Sequence, residues 1–182
     1  MATIYLQRHT RPDVEEGTCY GISDVGLHCD FESAELPKVL QRLSGKSFTH
    51  VYSSPLQRCK TLADNISDNT YVDDRLMELN FGDWEMMSWN DIDKTDEGRE
   101  WFADYLNCRT PNGESFQDLI ARANSFLESI ESLEDNILVV THSGFIRAAM
   151  VAIGAIEQTD AFNSDIDYGD TFKVEADKIS KL

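Results

Sequence analysis

Few basic side chains, no long apolar run and no closely spaced cysteines set the first limits on this chain. Only 16 Lys and Arg oppose 33 Asp and Glu over 182 residues, leaving a formal charge of −17. Such a field repels phosphate backbones and anionic lipid head groups, so neither nucleic acid nor membrane partners are expected. No apolar run approaches the ~20 residues that a bilayer span needs. Cys19, Cys29, Cys59 and Cys108 show no C-x-x-C spacing, and Met1 to Leu6, running into Gln7 and Arg8, holds no long apolar signal. Both observations point to a reducing cytoplasm. Repeats, low-complexity stretches and linker-like composition shifts are also missing, so one domain covering 1–182 is expected. Oligomeric state is left open. An apolar content of 41% is enough for a substantial core.

The apolar residues fall into short alternating blocks. Ile4-Tyr5-Leu6 reads as a buried strand that stops at Arg8-His9-Thr10-Arg11-Pro12. Leu36, Val39, Leu40 and Leu43 have helical spacing, with Gly45 as a stop. His50 to Ser53 reads as a second strand, followed by Ser54 as N-cap, Pro55, and a helix over Leu56 to Ile66. Tyr71-Val72 suggests a third strand. Glu114 to Leu133 carries a helical stripe of Phe116, Leu119, Ile120, Ala123, Phe126, Leu127 and Ile130 behind Ser115 as N-cap. Asn136 to Thr141 is the clearest buried strand and ends at His142-Ser143-Gly144, before a helix over Phe145 to Ile153. Thr171 to Val174 suggests a late strand. This alternation predicts an α/β fold, a three-layer sandwich with a mostly parallel central sheet and helices on both faces.

In parallel sheets, ligands bind beyond the carboxyl ends of the strands. The first strand delivers Arg8 and His9 there, the second leads to Arg58, and the clearest delivers His142. Any one of these is as well explained by a surface ion pair or a strand-end cap. All four at one sheet edge are harder to assign to structure alone. Two guanidinium forks suit a tetrahedral phosphoryl group, and the helix N-termini after Ser54 and Ser143 offer further N–H donors. A neutral imidazole can attack phosphorus, a second can stabilise the oxygens, and a departing alkoxide then needs an acid. Glu78 and Glu85, set among Leu79, Phe81 and Trp84, both qualify as that acid, against the alternative of a solvated acidic turn. Tyr20, Trp84, Trp89 and Trp101 could wall a heterocycle or pack in the core.

Arg8-His9, Ser53-Ser54-Pro55-Leu56-Gln57-Arg58, Glu78 with Gly82, Gly113-Glu114-Ser115 and Thr141-His142-Ser143-Gly144 together resemble the histidine phosphatase superfamily, which includes cofactor-dependent phosphoglycerate mutases. The match in order and spacing covers nearly the whole chain. The resemblance implies His9 as the phosphorylated nucleophile, Arg8, Arg58 and His142 as the phosphate pocket, and Glu78 rather than Glu85 as proton donor. It implies no metal or other cofactor, and a small phosphorylated metabolite as the partner. A narrower resemblance, to α-ribazole phosphatases, rests on His9-Thr10-Arg11-Pro12, Gly17, Cys19-Tyr20-Gly21, Asp24 and Leu27. It places Thr10, Tyr20, Gly21 and Ser143 with Arg8 and Arg58 around the substrate. Thr10 where many members have Gly, Leu27-His28-Cys29-Asp30 in place of a Leu-Thr helix opening, and Met86 in place of a frequent Gly depart from the pattern.

Competing readings are weaker. Asp91-Ile92-Asp93-Lys94-Thr95 fits the D-x-D-x-T of magnesium-dependent aspartyl phosphatases, but the residues before it do not make a buried strand. It fails as a calcium loop, because Gly98 comes two positions late and Phe102 stands where a bidentate Glu is required. His9, His28 and His142 with Glu78 lack helical zinc-ligand spacing. A phosphoglycerate mutase-like enzyme, a broad-specificity sugar phosphatase and a non-catalytic phospholigand-binding module stand as alternatives. Arg109 alone does not supply the paired arginines of a mutase.

Overall fold

A computed structural model describes residues 3–163, 165–175 and 178–182. Six strands form one mixed sheet: β1 (Thr3–Arg8), β2 (His50–Ser53), β3 (Thr70–Val72), β4 (Asn136–Thr141), β5 (Thr171–Glu175) and β6 (Lys178–Lys181). Their order is β3-β2-β4-β1-β5-β6, parallel from β3 to β1 and antiparallel for β5 and β6. The expected late strand therefore extends the sheet in the opposite sense, beside a β6 that the sequence reading did not anticipate.

Side chains alternate across a strand, so a strand covered on both faces must be apolar throughout. β4 satisfies this with Ile137 and Val139 on one face and Leu138 and Val140 on the other, all fully buried. The first face packs against α5 (Phe116–Ile130) and α6 (Ser143–Ala152), and the second against α1 (Leu36–Arg42) and α2 (Gln57–Ile66). These are the three layers of the expected sandwich. α5 is closed by a capping box in which Ser115 and Asp118 each satisfy the other's backbone N–H. Leu40 departs from its predicted stripe and lies 41% exposed.

The expected start of α2 needs correction. α2 starts one residue later than predicted, with Leu56 in extended conformation as N-cap, and the Gln57 N–H donates to Asp24 Oδ1 at 2.7 Å. A carboxylate 33 residues upstream thus takes the capping role expected of Ser54. The acidic stretch after Met86 folds into two short helices, α3 (Trp89–Ile92) and α4 (Asp96–Ala103), capped by Ser88 and Thr95. Asp91 lies in α3 and pairs with Lys94 on the surface, far from the strand end that an aspartyl nucleophile requires. Among the described residues, no helix is long and apolar enough to cross a membrane.

Candidate active site

β1, β2 and β4 run parallel, so their carboxyl ends meet at one edge, tied there by His9 N–H to the Thr141 carbonyl (3.0 Å) and Ser54 N–H to the Val140 carbonyl (3.0 Å). The His9 and His142 rings meet edge-on with centroids 5.1 Å apart, both buried. Burial, with Arg58 and Arg8 nearby, holds the His9 imidazole well below its usual 6.5, against a smaller opposing effect of the Thr10 carbonyl. His142 is held down in the same sense by burial first, then by Arg58, His9 and Arg8. Both rings are neutral near pH 7. His9 Nδ1 lies 2.6 Å from the Thr10 carbonyl, which can only accept, so Nδ1 carries the proton and Nε2 keeps its lone pair. Ser54 Oγ, expected to cap a helix, accepts only a long bond from Leu56 N–H (3.4 Å) and lies 2.8 Å from His142 Nε2.

The arginines divide into two groups. Arg11, Arg42, Arg75, Arg99, Arg109 and Arg122 each pair with a carboxylate. Among the described residues Arg8, Arg58 and Arg147 form no ion pair, although acids outnumber bases two to one; Arg147 donates to the Ala161 carbonyl and lies over the Phe162 ring, outside the lining of the cavity. Arg58 is fully buried and donates to the carbonyls of Gly21 (2.6 Å) and Ser23 (2.8 Å). Arg8 donates to the Ile166 carbonyl and lies 3.9 Å from the centre of the Tyr168 ring. Each leaves its buried Nε without a partner. Unmet cationic donors in a site free of carboxylate partners are what the oxygens of a bound anion would satisfy.

Glu78 reaches the same edge from the segment after β3. Its Oε2 accepts from Gly144 N–H at 2.9 Å and lies 3.5 Å from Ser143 Oγ, while Oε1 accepts from Leu79 N–H at 3.0 Å. Glu85, the other candidate acid, serves a different end. Its carboxylate takes the N–H groups of Gly21, Ile22, Ser23 and Phe81 and the Ser23 hydroxyl. Burial alone would raise its pKa, yet these donors together pull it below the ordinary carboxylate value. It braces the loop whose carbonyls hold Arg58.

A cavity of about 660 Å³ opens above these groups, lined at its floor by Arg8, His9, Glu78 and Ser143. Of the expected aromatic wall, Tyr20 and Trp89 line it, whereas Trp84 and Trp101 are buried in the core. Gly21 supports the site from behind, since its N–H serves Glu85 and its carbonyl serves Arg58. Thr10 contributes its carbonyl to His9; its own hydroxyl is buried without a partner and faces a separate, smaller cavity. Two helix-start donors expected to meet phosphate are already engaged, Gln57 N–H by Asp24 and Gly144 N–H by Glu78. Sequence reasoning missed Tyr168, which covers Arg8, lies 5.7 Å from the His9 ring and shares a 2.6 Å hydrogen bond with Tyr20. It sits in the turn before β5, where no periodicity marks it.

A pair of neutral, buried imidazoles, two carboxylate-free arginines and an adjacent carboxyl group at the ends of parallel strands are the groups that histidine-type phosphoryl transfer requires. The family model of the histidine phosphatase superfamily (branch 1) matches residues 4–180, and the chain belongs to that family. It is a hydrolase of phosphate esters. It is 31% identical over 109 residues to the adenosylcobalamin/alpha-ribazole phosphatase of Salmonella typhimurium, covering 54% of this chain and 53% of that protein. Over 170 residues it is 31% identical to the "Probable phosphoglycerate mutase GpmB" of Escherichia coli, covering 87% and 74% respectively. The crystal structure of the alpha-ribazole phosphatase from Shigella flexneri shares the fold, with a TM-score of 0.85 at 23% identity over 99% of this chain and 94% of that one.

Proposed function

We propose that the protein hydrolyses a small phosphate monoester through a phosphohistidine at His9, with Arg8, Arg58 and His142 binding the phosphoryl group and Glu78 handling the proton. The observation that carries this reading is the fixed tautomer of His9, a neutral ring whose Nδ1 donates to the Thr10 carbonyl and whose Nε2 is free beside unpaired guanidinium groups. In the first step an Nε2–P bond forms, the ester P–O bond breaks, and Glu78 gives its proton to the departing oxygen. Water then attacks phosphorus, Glu78 takes a proton back, the Nε2–P bond breaks to return the neutral imidazole, and inorganic phosphate leaves. Positioning and charge supply the stabilisation, since a loose phosphoryl transition state asks little covalent chemistry of the protein.

For the substrate, the proposed reading is α-ribazole 5′-phosphate, with α-ribazole as the leaving alcohol. It rests on the motifs at His9 to Leu27 and on the flat side chains of Tyr20, Phe81, Trp89 and Tyr168 along the cavity. Hydrolysis is favoured over mutase chemistry because Arg109 is tied to Asp118 on the surface instead of facing the cavity. A phosphoramidate survives alkali, so labelled substrate quenched at high pH should leave label on the peptide containing His9. His9→Ala should lose that label and at least ~10⁴-fold in turnover. Near wild-type turnover in that variant, or label at Asp91, would sink the mechanism.

A further inference from the structure

Beyond the phosphate-binding floor, the cavity mouth carries two carboxylates that the mechanism does not use. Glu15 and Glu16 line the cavity, both are exposed, and neither belongs to an ion pair among the described residues. Their loop is anchored at both ends. On one side Pro12 bridges to Leu27 and Asp13 N–H donates to the Gly26 carbonyl (2.8 Å). On the other, Thr18 bridges to Ser88 and Trp89 N–H donates to the Gly17 carbonyl (2.9 Å). The one arginine lining that side, Arg11, is neutralised by Asp30 (2.9 Å) and Glu35 (3.3 Å).

Building on the phosphatase reading, we infer that Glu15 and Glu16 are specificity-determining residues that exclude phosphate esters whose leaving alcohol carries a carboxylate, so that the preferred alcohol is uncharged or cationic. The phosphoryl group is held at the floor by arginines, and whatever is attached to it must extend past this rim. An anionic substituent there meets two negative charges and, among the described residues lining the cavity, the only arginine without a carboxylate partner is Arg8, which is engaged with the phosphoryl group at the floor. For charges ~8 Å apart at a cavity mouth, with an effective dielectric of ~60 between those of water and the protein surface, two such repulsions amount to about tenfold in kcat/KM and fade with added salt. A neutral ring or an ammonium group suffers no such loss.

Glycerol 3-phosphate and 3-phosphoglycerate test this directly, because they differ by a carboxylate while sharing a primary phosphate ester. The wild type should favour the first in kcat/KM by about tenfold or more at low salt, with the ratio shrinking as ionic strength rises. The Glu15→Gln/Glu16→Gln variant should narrow the ratio by about tenfold and remove most of its salt dependence. Phosphocholine should move oppositely, losing ground in the variant. Turnover of both esters with a ratio unaltered by the substitutions, or a wild-type ratio indifferent to salt, would overturn the assignment while leaving the phosphatase reading intact. Failure to hydrolyse any ester, with no label at His9, would overturn that reading and this one together.

Discussion

His9, on the floor of the cavity, and His142, buried behind it, stand at the ends of neighbouring parallel strands, each one peptide from a ladder hydrogen bond. The wall is made otherwise: Gly21 to Ser23, Glu85 and Tyr168 come from irregular segments that hold one another through side chains reaching across more than 60 residues. The two carboxylates make the contrast concrete. Glu78 is held by backbone donors at one helix start and has a face on the cavity, whereas all the capacity of Glu85 is spent on the wall. Chemistry is placed where the sheet fixes geometry, and the wall uses charge to fix geometry that no sheet supplies.

The sharpest way to break this division is to disturb Glu78 without touching the strands. Glu78→Gln should slow hydrolysis of alkyl phosphates by ~10²-fold or more and of activated aryl phosphates far less, because only an alkoxide needs a proton as it leaves. Gly144→Ala offers an independent route, since its Cβ would lie 2.2 Å from Glu78 Oε1. The side chain must move, and the same selective loss should follow. Equal losses on both ester classes would assign Glu78 to structure or binding.

Glu85→Gln should instead act on stability and phosphate affinity. Replacing a half-buried carboxylate that takes five donors with an amide leaves some of them unmet, at a cost of ~1–2 kcal/mol. Because the loop it braces carries the carbonyls that hold Arg58, inhibition by inorganic phosphate should weaken as well. Urea unfolding together with phosphate inhibition would check both halves. Unchanged stability with a loss confined to alkyl esters would make Glu85 the acid after all.

The same contrast explains what could be read from residues alone. β2 and β4 were legible to the residue because short apolar blocks bounded by polar strand ends have few other readings, and α5 was legible from its stripe and capping box. Arg8, His9, Arg58 and His142 followed from those elements by the rule that strand ends converge. The wall was opaque for the opposite reason. α3 has only four residues, too few for a period to show, and the capping of α2 by Asp24 or the bracing of Gly21 by Glu85 depends on proximity in space. Tyr168 reaches His9 only because β5 pairs antiparallel with β1.

Acid should weaken the floor before the wall. His9 and His142 are held well below 6.5 when folded and return to about 6.5 when unfolded, so in the window between those values the unfolded chain binds more protons. Stability is therefore full above ~7 and falls as pH drops through 6.5, by ~2 kcal/mol for the pair between pH 7.5 and 5.5. Replacing His9 with Asn should remove about half of that slope, as read by urea unfolding at the two pH values. Glu85 has the opposite linkage: its folded pKa is depressed, so its contribution stays intact through this window and fades only as pH falls below the ordinary carboxylate range.

The smallest expected effect lies in the wall's backbone. Met86 has φ +66°, the left-handed region, and its N–H donates to the Cys19 carbonyl at 2.7 Å, so this turn links the loop containing Gly21 to the Glu85 segment. The backbone there has a glycine-like conformation while carrying a side chain that disfavours it. Left-handed geometry costs a non-glycine residue ~1 kcal/mol, and the extra unfolded-state entropy of glycine returns part of that on substitution. The side chain is 53% exposed and contributes little by burial. Met86→Gly should therefore raise unfolding stability by ~0.5 kcal/mol, with kcat and phosphate inhibition unchanged. A loss of more than ~1 kcal/mol would mean that the thioether packs the wall more than its exposure indicates. A change in kcat alone would show that the wall tunes the floor's chemistry, and the separation between the two regions would then fail.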